Sequence, residues 1–257
     1  MFAFLKPIFY TPLFNLFVGL YNIIPGHDIG LVILVITLLV RLVLYPLTSS
    51  SIKAQKSMQE LQPKLDEIRK KYATDKQAQA QAIMEVYKNH KVNPFASCLP
   101  MLIQLPILIA LYLALRDGLA STNLAENLYS FVHNPGVLSP ISLGLLDLSK
   151  PNIVLAVLAG AAQFWQARMM MAKNLPKGPG EGAKDENMMS MMNKQMMYMM
   201  PIMTVAFGFK LSAGLMLYWF LSTLFTALQQ LFLFRKSKNN QDPGPAKPNV
   251  IEGKIVS

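Results

Sequence analysis

Residues 32–48 read VILVITLLVRLVLYPLT, an almost unbroken aliphatic run that begins at Ile29 and holds one arginine, Arg41. Its length approaches the roughly 18–20 residues with which an α-helix crosses a bilayer. An ionised guanidinium near the centre of such a helix costs about 2.5–3.5 kcal/mol on insertion scales. Arg41 therefore has to face protein or water and not lipid. Thr37 and Tyr45 flank it at four-residue spacing and Thr48 continues the row, which draws one polar stripe along an apolar cylinder. Three accounts of Arg41 stay open: a wet functional site, a structural cation satisfied by carbonyls, or a side chain that snorkels to the nearer surface. A helix running to Leu47 disfavours snorkelling, because it leaves Arg41 more than a turn from the end.

The same apolar character recurs downstream. Spans are predicted at about 29–47, 94–115, 153–171, 188–209 and 213–234, with a kink at Pro201. The chain is 53% hydrophobic and 15% charged, whereas a soluble domain of this size carries about a quarter charged residues. The fold expected is an all-α polytopic membrane protein of five helices. The single cysteine, Cys98, excludes an intrachain disulfide framework. Ahead of the first span, Thr11 and Pro12 are placed to cap and start a helix to about Ile24. Its Leu13, Phe14, Phe17, Leu20, Tyr21 and Ile24 share one side, which predicts an amphipathic helix lying in the membrane interface. The domain plan is a tail with this helix over 1–27, a membrane domain over 28–235 and a disordered basic tail over 236–257.

Lys and Arg set the expected orientation. Residues 48–93 carry nine of them, the 171–187 connection holds Lys173, Lys177 and Lys184, and the tail begins RKSK. Residues 117–150 hold only Lys150, and the turn before the fifth span only Lys210. The basic connections are assigned to the cytoplasm, with the N-terminus outside and the C-terminus inside. The longest basic connection is rich in helix formers and predicts a helical hairpin over about 50–91. Asp75 caps its second arm, and Ile52, Met58, Leu61, Leu65 and Ile68 stand at helical spacing. Lys64, Arg69, Lys70 and Lys71 are its candidate recruitment residues, able to attract ribosomal RNA or anionic lipid. Two solvated helices that pack only on each other are the plainer account.

Enzymatic signals are weak. His27, His90 and His133 fall in separate connections, no HExxH spacing occurs, and Walker-type loops and nucleophile elbows are missing. No carboxylate lies well inside a predicted span, so the parts of a proton relay are missing as well. No metal and no cofactor is expected. Polar side chains do line several spans: Ser97, Gln104 and Tyr112 in the second, Gln163 and Gln166 in the third, Trp219, Thr223, Thr226 and Gln230 in the fifth. Singly, each is ordinary interhelical glue worth about 0.6 kcal/mol. Together with an arginine that has no acidic partner in the spans, they outline an electropositive groove. Twelve of the seventeen methionines crowd ARMMMAK and MMSMMNKQMMYMMPIM, among them Met169, Met170, Met192 and Met196. Met suits surfaces that accept many apolar shapes, and it equally fills gaps between helices.

TLLVRLVLYPLT, SMQELQPKLDEIRKKY, VNPFASCLPMLIQLPILIALY and AGLMLYWFLSTLFTALQQ occur in that order. With the five-span plan they resemble the YidC-type membrane protein insertases over about residues 8–235. The resemblance implies five helices around a hydrophilic groove that opens to the cytoplasm and to lipid. It implies that Arg41 is the groove cation, with Thr37, Gln104 and Gln163 around it; Thr223 joins them from the polar stripe of the fifth span. Tyr218 and Trp219 would meet the client segment, and residues 50–91 would form the cytoplasmic hairpin. Two positions depart from the family's habit, Ser212 for proline and Thr223 for asparagine. The implied activity is insertion of hydrophobic client segments without enzymatic chemistry. The partners expected are nascent membrane proteins, the ribosome, the signal recognition particle pathway, a Sec-type translocon and anionic lipid. An assembly scaffold without translocation, or a small-solute channel or carrier, are the alternatives.

Overall fold

Pro46 decides how the first apolar run folds. The computed structural model describes residues 6–93, 96, 99–120, 124–170 and 195–239. In it, helix α2 covers Ile29–Val43 and helix α3 covers Tyr45–Lys71. The two meet at Leu44 with a bend of 66°. Proline lacks an N–H, and its ring collides with the carbonyl four residues back. Pro46 stands in the first turn of α3, where a missing N–H is tolerated, which suits a break at Leu44. Arg41 accordingly lies in the last turn of α2, and the helix does not run on to Leu47 as the sequence predicts. A cation there also meets the negative end of the helix dipole, worth about 0.3–1 kcal/mol.

The other helices are α1 (Thr11–Ile23), α4 (Lys76–Asn89), α5 (Leu99–Ala120), α6 (Ile153–Met170), α7 (Met200–Gly208) and α8 (Ala213–Asn239). A π-helical turn, Gln195–Met199, leads into α7, and Pro201 lies in the first turn of that helix, where a missing N–H costs nothing. Strand structure is confined, among the described residues, to the antiparallel pair β1 (Ile141–Ser142) and β2 (Leu146–Asp147). By length and composition, Leu102–Leu119 and Ala213–Arg235 can each cross a membrane. The α2–α3 pair qualifies only when taken together, and Ile153–Met169 and Met197–Gly208 are shorter apolar helices.

The core gathers at the end of the molecule away from the hairpin. Ile29, Val32, Ile33 and Ile36 of α2 meet Leu111 and Leu115 of α5, Ala156 of α6 and Met216 of α8. Small residues let α6 and α7 approach closely: a Cβ on Gly208 would stand 2.2 Å from the Ala156 Cβ, and one on Gly160 2.6 Å from Val205 Cγ2. Outside this core, Leu42, Val43, Leu102, Val154, Ile202 and Phe232 are exposed, as side chains facing lipid should be.

Helix α1 turns the apolar face read from its sequence onto protein. Phe14, Phe17, Val18 and Tyr21 are buried in protein, packed with α5 and the 124–150 connection, because Asn15 ties α1 down. Its Nδ2 donates to Asn127 O at 2.9 Å, and its Oδ1 accepts from Tyr129 N at 2.7 Å. Thr11 does not cap the helix; its hydroxyl donates to Lys6 O, within a π-helical turn over Lys6–Tyr10. The same connection straps two further helix starts. Asp28 caps α2 through Leu31 N and accepts from Ser142 Oγ (2.7 Å) and Leu143 N. Ala213 N and Gly214 N of α8 donate to Lys150 O and Leu148 O. Burial pushes the Asp28 carboxyl up, but hydrogen bonds from Leu143, Ser142, Leu31 and Gly30 outweigh it and hold it below the usual carboxylate range.

Candidate functional site

At the bend after α2, three helices are linked through side chains. The Arg41 guanidinium, on α2, donates from Nη2 to the Ser222 hydroxyl on α8. One turn earlier on α8, the Tyr218 hydroxyl accepts from Gln104 Nε2 of α5 at 2.6 Å and also bonds Ser222. The chain Arg41–Ser222–Tyr218–Gln104 thus spans α2, α8 and α5. Among the described residues no carboxylate pairs with Arg41. A guanidinium has five N–H donors, so most of its capacity is left over for acceptors other than Ser222.

The remaining expected groove residues fall around this chain in different ways. Thr37 is fully buried one turn above Arg41 and bonds its own helix, Oγ1 to Ile33 O at 2.6 Å. Gln163 lies apart from it: the Thr204 hydroxyl of α7 donates to its Oε1, which pins α6 to α7. Tyr218 is 1% exposed, so its ring is core, while Trp219 beside it is half-buried against that core. Thr223 is buried, as are Thr226 and Gln230 further along α8. Gln229 reaches past the bend, donating to Ser49 Oγ of α3 at 2.9 Å. Ser222 and Thr204 were missed by sequence reasoning. For Ser222 a signal exists, since it follows Tyr218 by four residues and so shares its helix face.

The methionine-rich mouth lies largely beyond description. Met169 is half-buried near the end of α6; Met192 lies outside the described residues, as do the side chains of Met170 and Met196.

In the hairpin, α3 runs on from the bend and α4 folds back against it. Asp75 caps α4 by accepting from Gln77 N and Ala78 N, and buried Gln79 donates to Arg69 O at 3.1 Å. Leu61 and Leu65 are buried between the arms. Arg69 pairs with Asp66 at 2.8 Å within α3, with only 11% of its side chain exposed, so its charge is met inside that arm. Lys64 stands 3.2 Å from His90 Nε2. Lys70 and Lys71 are exposed, the latter with its ammonium over the Tyr72 ring.

Comparison with known proteins gives the family. A family model described as 60Kd inner membrane protein matches residues 19–241. The chain is 38% identical to the membrane protein insertase YidC of Fusobacterium nucleatum, over 81% of this chain and 87% of that protein. It is 35% identical to the same-named protein of Clostridium tetani, over 85% and 88%. Against that of Geobacter metallireducens, 33% identity extends over 80% of this chain but only 33% of the longer relative. An all-α polytopic chain with these matches along most of its length belongs to the 60Kd inner membrane protein family, together with the YidC insertases.

Proposed function

We propose that the protein is a membrane protein insertase whose Arg41-centred polar chain receives the polar flank of a hydrophobic client segment. The observation that carries this reading is the guanidinium held by Ser222 without a carboxylate. Entering a bilayer, a client flank loses hydrogen bonds to water, and an unmet polar group there costs several kcal/mol. Arg41, Gln104 and Thr223 offer replacement partners, and Gln163 lies one helix pair further on. The apolar part of the client then moves into lipid past Trp219. Its burial, about 25 cal/mol per Å², drives the step, so the protein lowers a barrier without a nucleotide, a metal or a covalent intermediate.

The rest of the reading follows the charge distribution. The hairpin end faces the cytoplasm, the 124–150 connection faces outward, five passes put the N-terminus outside, and residues 236–257 trail inside. Exposed Lys70 and Lys71 meet the ribosome or anionic lipid, and the methionine-rich segments about Met169 and Met192 guide the client towards the groove. Nascent chains arrive by the signal recognition particle pathway, with or without a Sec-type translocon.

Cell-free synthesis of a single-span client with an acidic outer tail, beside proteoliposomes holding only this chain, tests the proposal. Protease protection of the tail with the native chain, lost with Arg41→Gln, is the expected result. Protection with both would make Arg41 a structural cation. No protection with either, beside working translocon controls, would leave an assembly scaffold.

A further inference from the structure

A cavity of about 280 Å³ opens between the amino-terminal segment and α5, at the hairpin-distal end and away from the Arg41 chain. We infer that this cavity seats one acyl chain of an anionic phospholipid, with Lys6 and Arg116 holding the phosphate. Its floor is a stripe on one side of α5, Pro106, Ile109, Ala110 and Leu113, closed opposite by Phe9 and Tyr10. Beyond that stripe on α5 come Arg116 and Asp117, and Lys6 of the amino-terminal segment lines the same cavity.

Depth fits this occupant. Pro106 to Arg116 is ten residues of helix, about 15 Å, or half of the roughly 30 Å hydrocarbon core. From Pro106 to the charged Arg116 the cavity wall is therefore about one leaflet deep, with charge where headgroups lie; that this is the outer leaflet rests on the orientation proposed above. The balance of charge fits too. Arg116 bonds Asp117 through Nε at 2.8 Å, and Tyr10 donates to the other carboxylate oxygen at 2.9 Å. Asp117 is thus satisfied within the protein, Arg116 keeps N–H groups to spare with 55% of its side chain exposed, and exposed Lys6 leaves the rim net positive. A client helix is the wrong shape. At about 10–12 Å across, it would fill this volume within a single turn.

Native mass spectrometry of the purified full chain, from micelles doped with equal phosphatidylglycerol and phosphatidylcholine, tests the inference. The native chain is expected to retain one phosphatidylglycerol at least about threefold over phosphatidylcholine. Lys6→Gln, which leaves the Arg116–Asp117 pair intact, should reduce that ratio, and Lys6→Gln with Arg116→Gln should bring it near one. Ile109→Trp, which fills the floor, should lose several-fold of both lipids. Equal retention of the two lipids by the native chain, or unchanged retention by Ile109→Trp, would overturn the site. A dimer that Ile109→Trp dissolves would overturn it in favour of a second copy of this chain. The readout is bound lipid mass, so failure of the lipid site and failure of client insertion are told apart.

Discussion

Arg41 and Ser222 lie 181 positions apart in the chain, yet the guanidinium of one donates to the hydroxyl of the other across the α2–α8 contact. Ser222 therefore aims Arg41 without neutralising it. Ser222→Ala should keep the charge and lose the aim. We expect insertion of an acidic-tailed client to fall roughly three- to tenfold, the equivalent of about 0.7–1.4 kcal/mol and within the range of one lost hydrogen bond. A client with an uncharged tail should be nearly unaffected. Initial rates of protease protection for the two clients, side by side, check this; an equal fall for both would mean that Ser222 serves only packing.

Gln104 and Tyr218 couple α5 to α8 through a 2.6 Å bond at a buried ring. Tyr218→Phe strands the Gln104 donor, at a cost of about 1–3 kcal/mol if it finds no water. Gln104→Leu should cost less, because the Tyr218 hydroxyl still has Ser222. The double variant should be more stable than the sum of the single losses, by about 0.5–1.5 kcal/mol. Unfolding of the four proteins in mixed micelles gives the coupling directly. Additive losses would show that the two side chains do not depend on each other.

What the sequence announced was chemistry that is costly in its surroundings. An arginine in an aliphatic run, glutamines in apolar spans and carboxylates kept out of them stand out because lipid penalises each one. Partners were harder to find. Ser222 is a small hydroxyl that any membrane helix tolerates, and nothing local says that residue 41 will meet it. Gln163 read as a groove residue on its own, because Thr204, its partner, lies 41 positions away. The break after α2 was visible in Pro46, but averaging hydropathy over 29–47 runs across it and centres Arg41 in a helix that ends at Val43. Helix α1 shows the same limit. Its amphipathic face was legible, but the same face serves lipid or protein, and Asn15 binding Asn127 and Tyr129 selects protein.

The α6–α7 contact makes a prediction about small residues. At Gly208 an added methyl would meet the Ala156 Cβ at 2.2 Å, a distance that forces the helices apart. Gly208→Ala should destabilise the fold by about 1–3 kcal/mol, as overpacking does, and should loosen the Gln163–Thr204 bond on the same interface. Gly19, inside α1, has nothing within 4 Å of its added methyl. Gly19→Ala should therefore stabilise the protein by about 0.4–1 kcal/mol through the unfolded chain. Opposite signs for the same substitution, read as unfolding midpoints, are the expected result.

Asp28 supplies the pH dependence. Its carboxylate caps α2 and holds the β1–β2 turn through Ser142 and Leu143, and these bonds keep it below the usual carboxylate range despite partial burial. A carboxylate with a lowered folded value stabilises the protein at every pH above its ordinary value, near 3.9, and loses that contribution as pH falls through the lower folded value. Asp28→Asn retains an oxygen for the cap but gives up the charge and one acceptor. The variant should unfold more easily than the native chain at pH 7, by an amount that stays constant down to about pH 4 and then shrinks. Thermal unfolding of both proteins between pH 3 and pH 7 measures this. A gap that widens on acidification would mean that Asp28 is protonated more readily in the folded protein than in the unfolded chain, and the strap would then depend on something other than its charge.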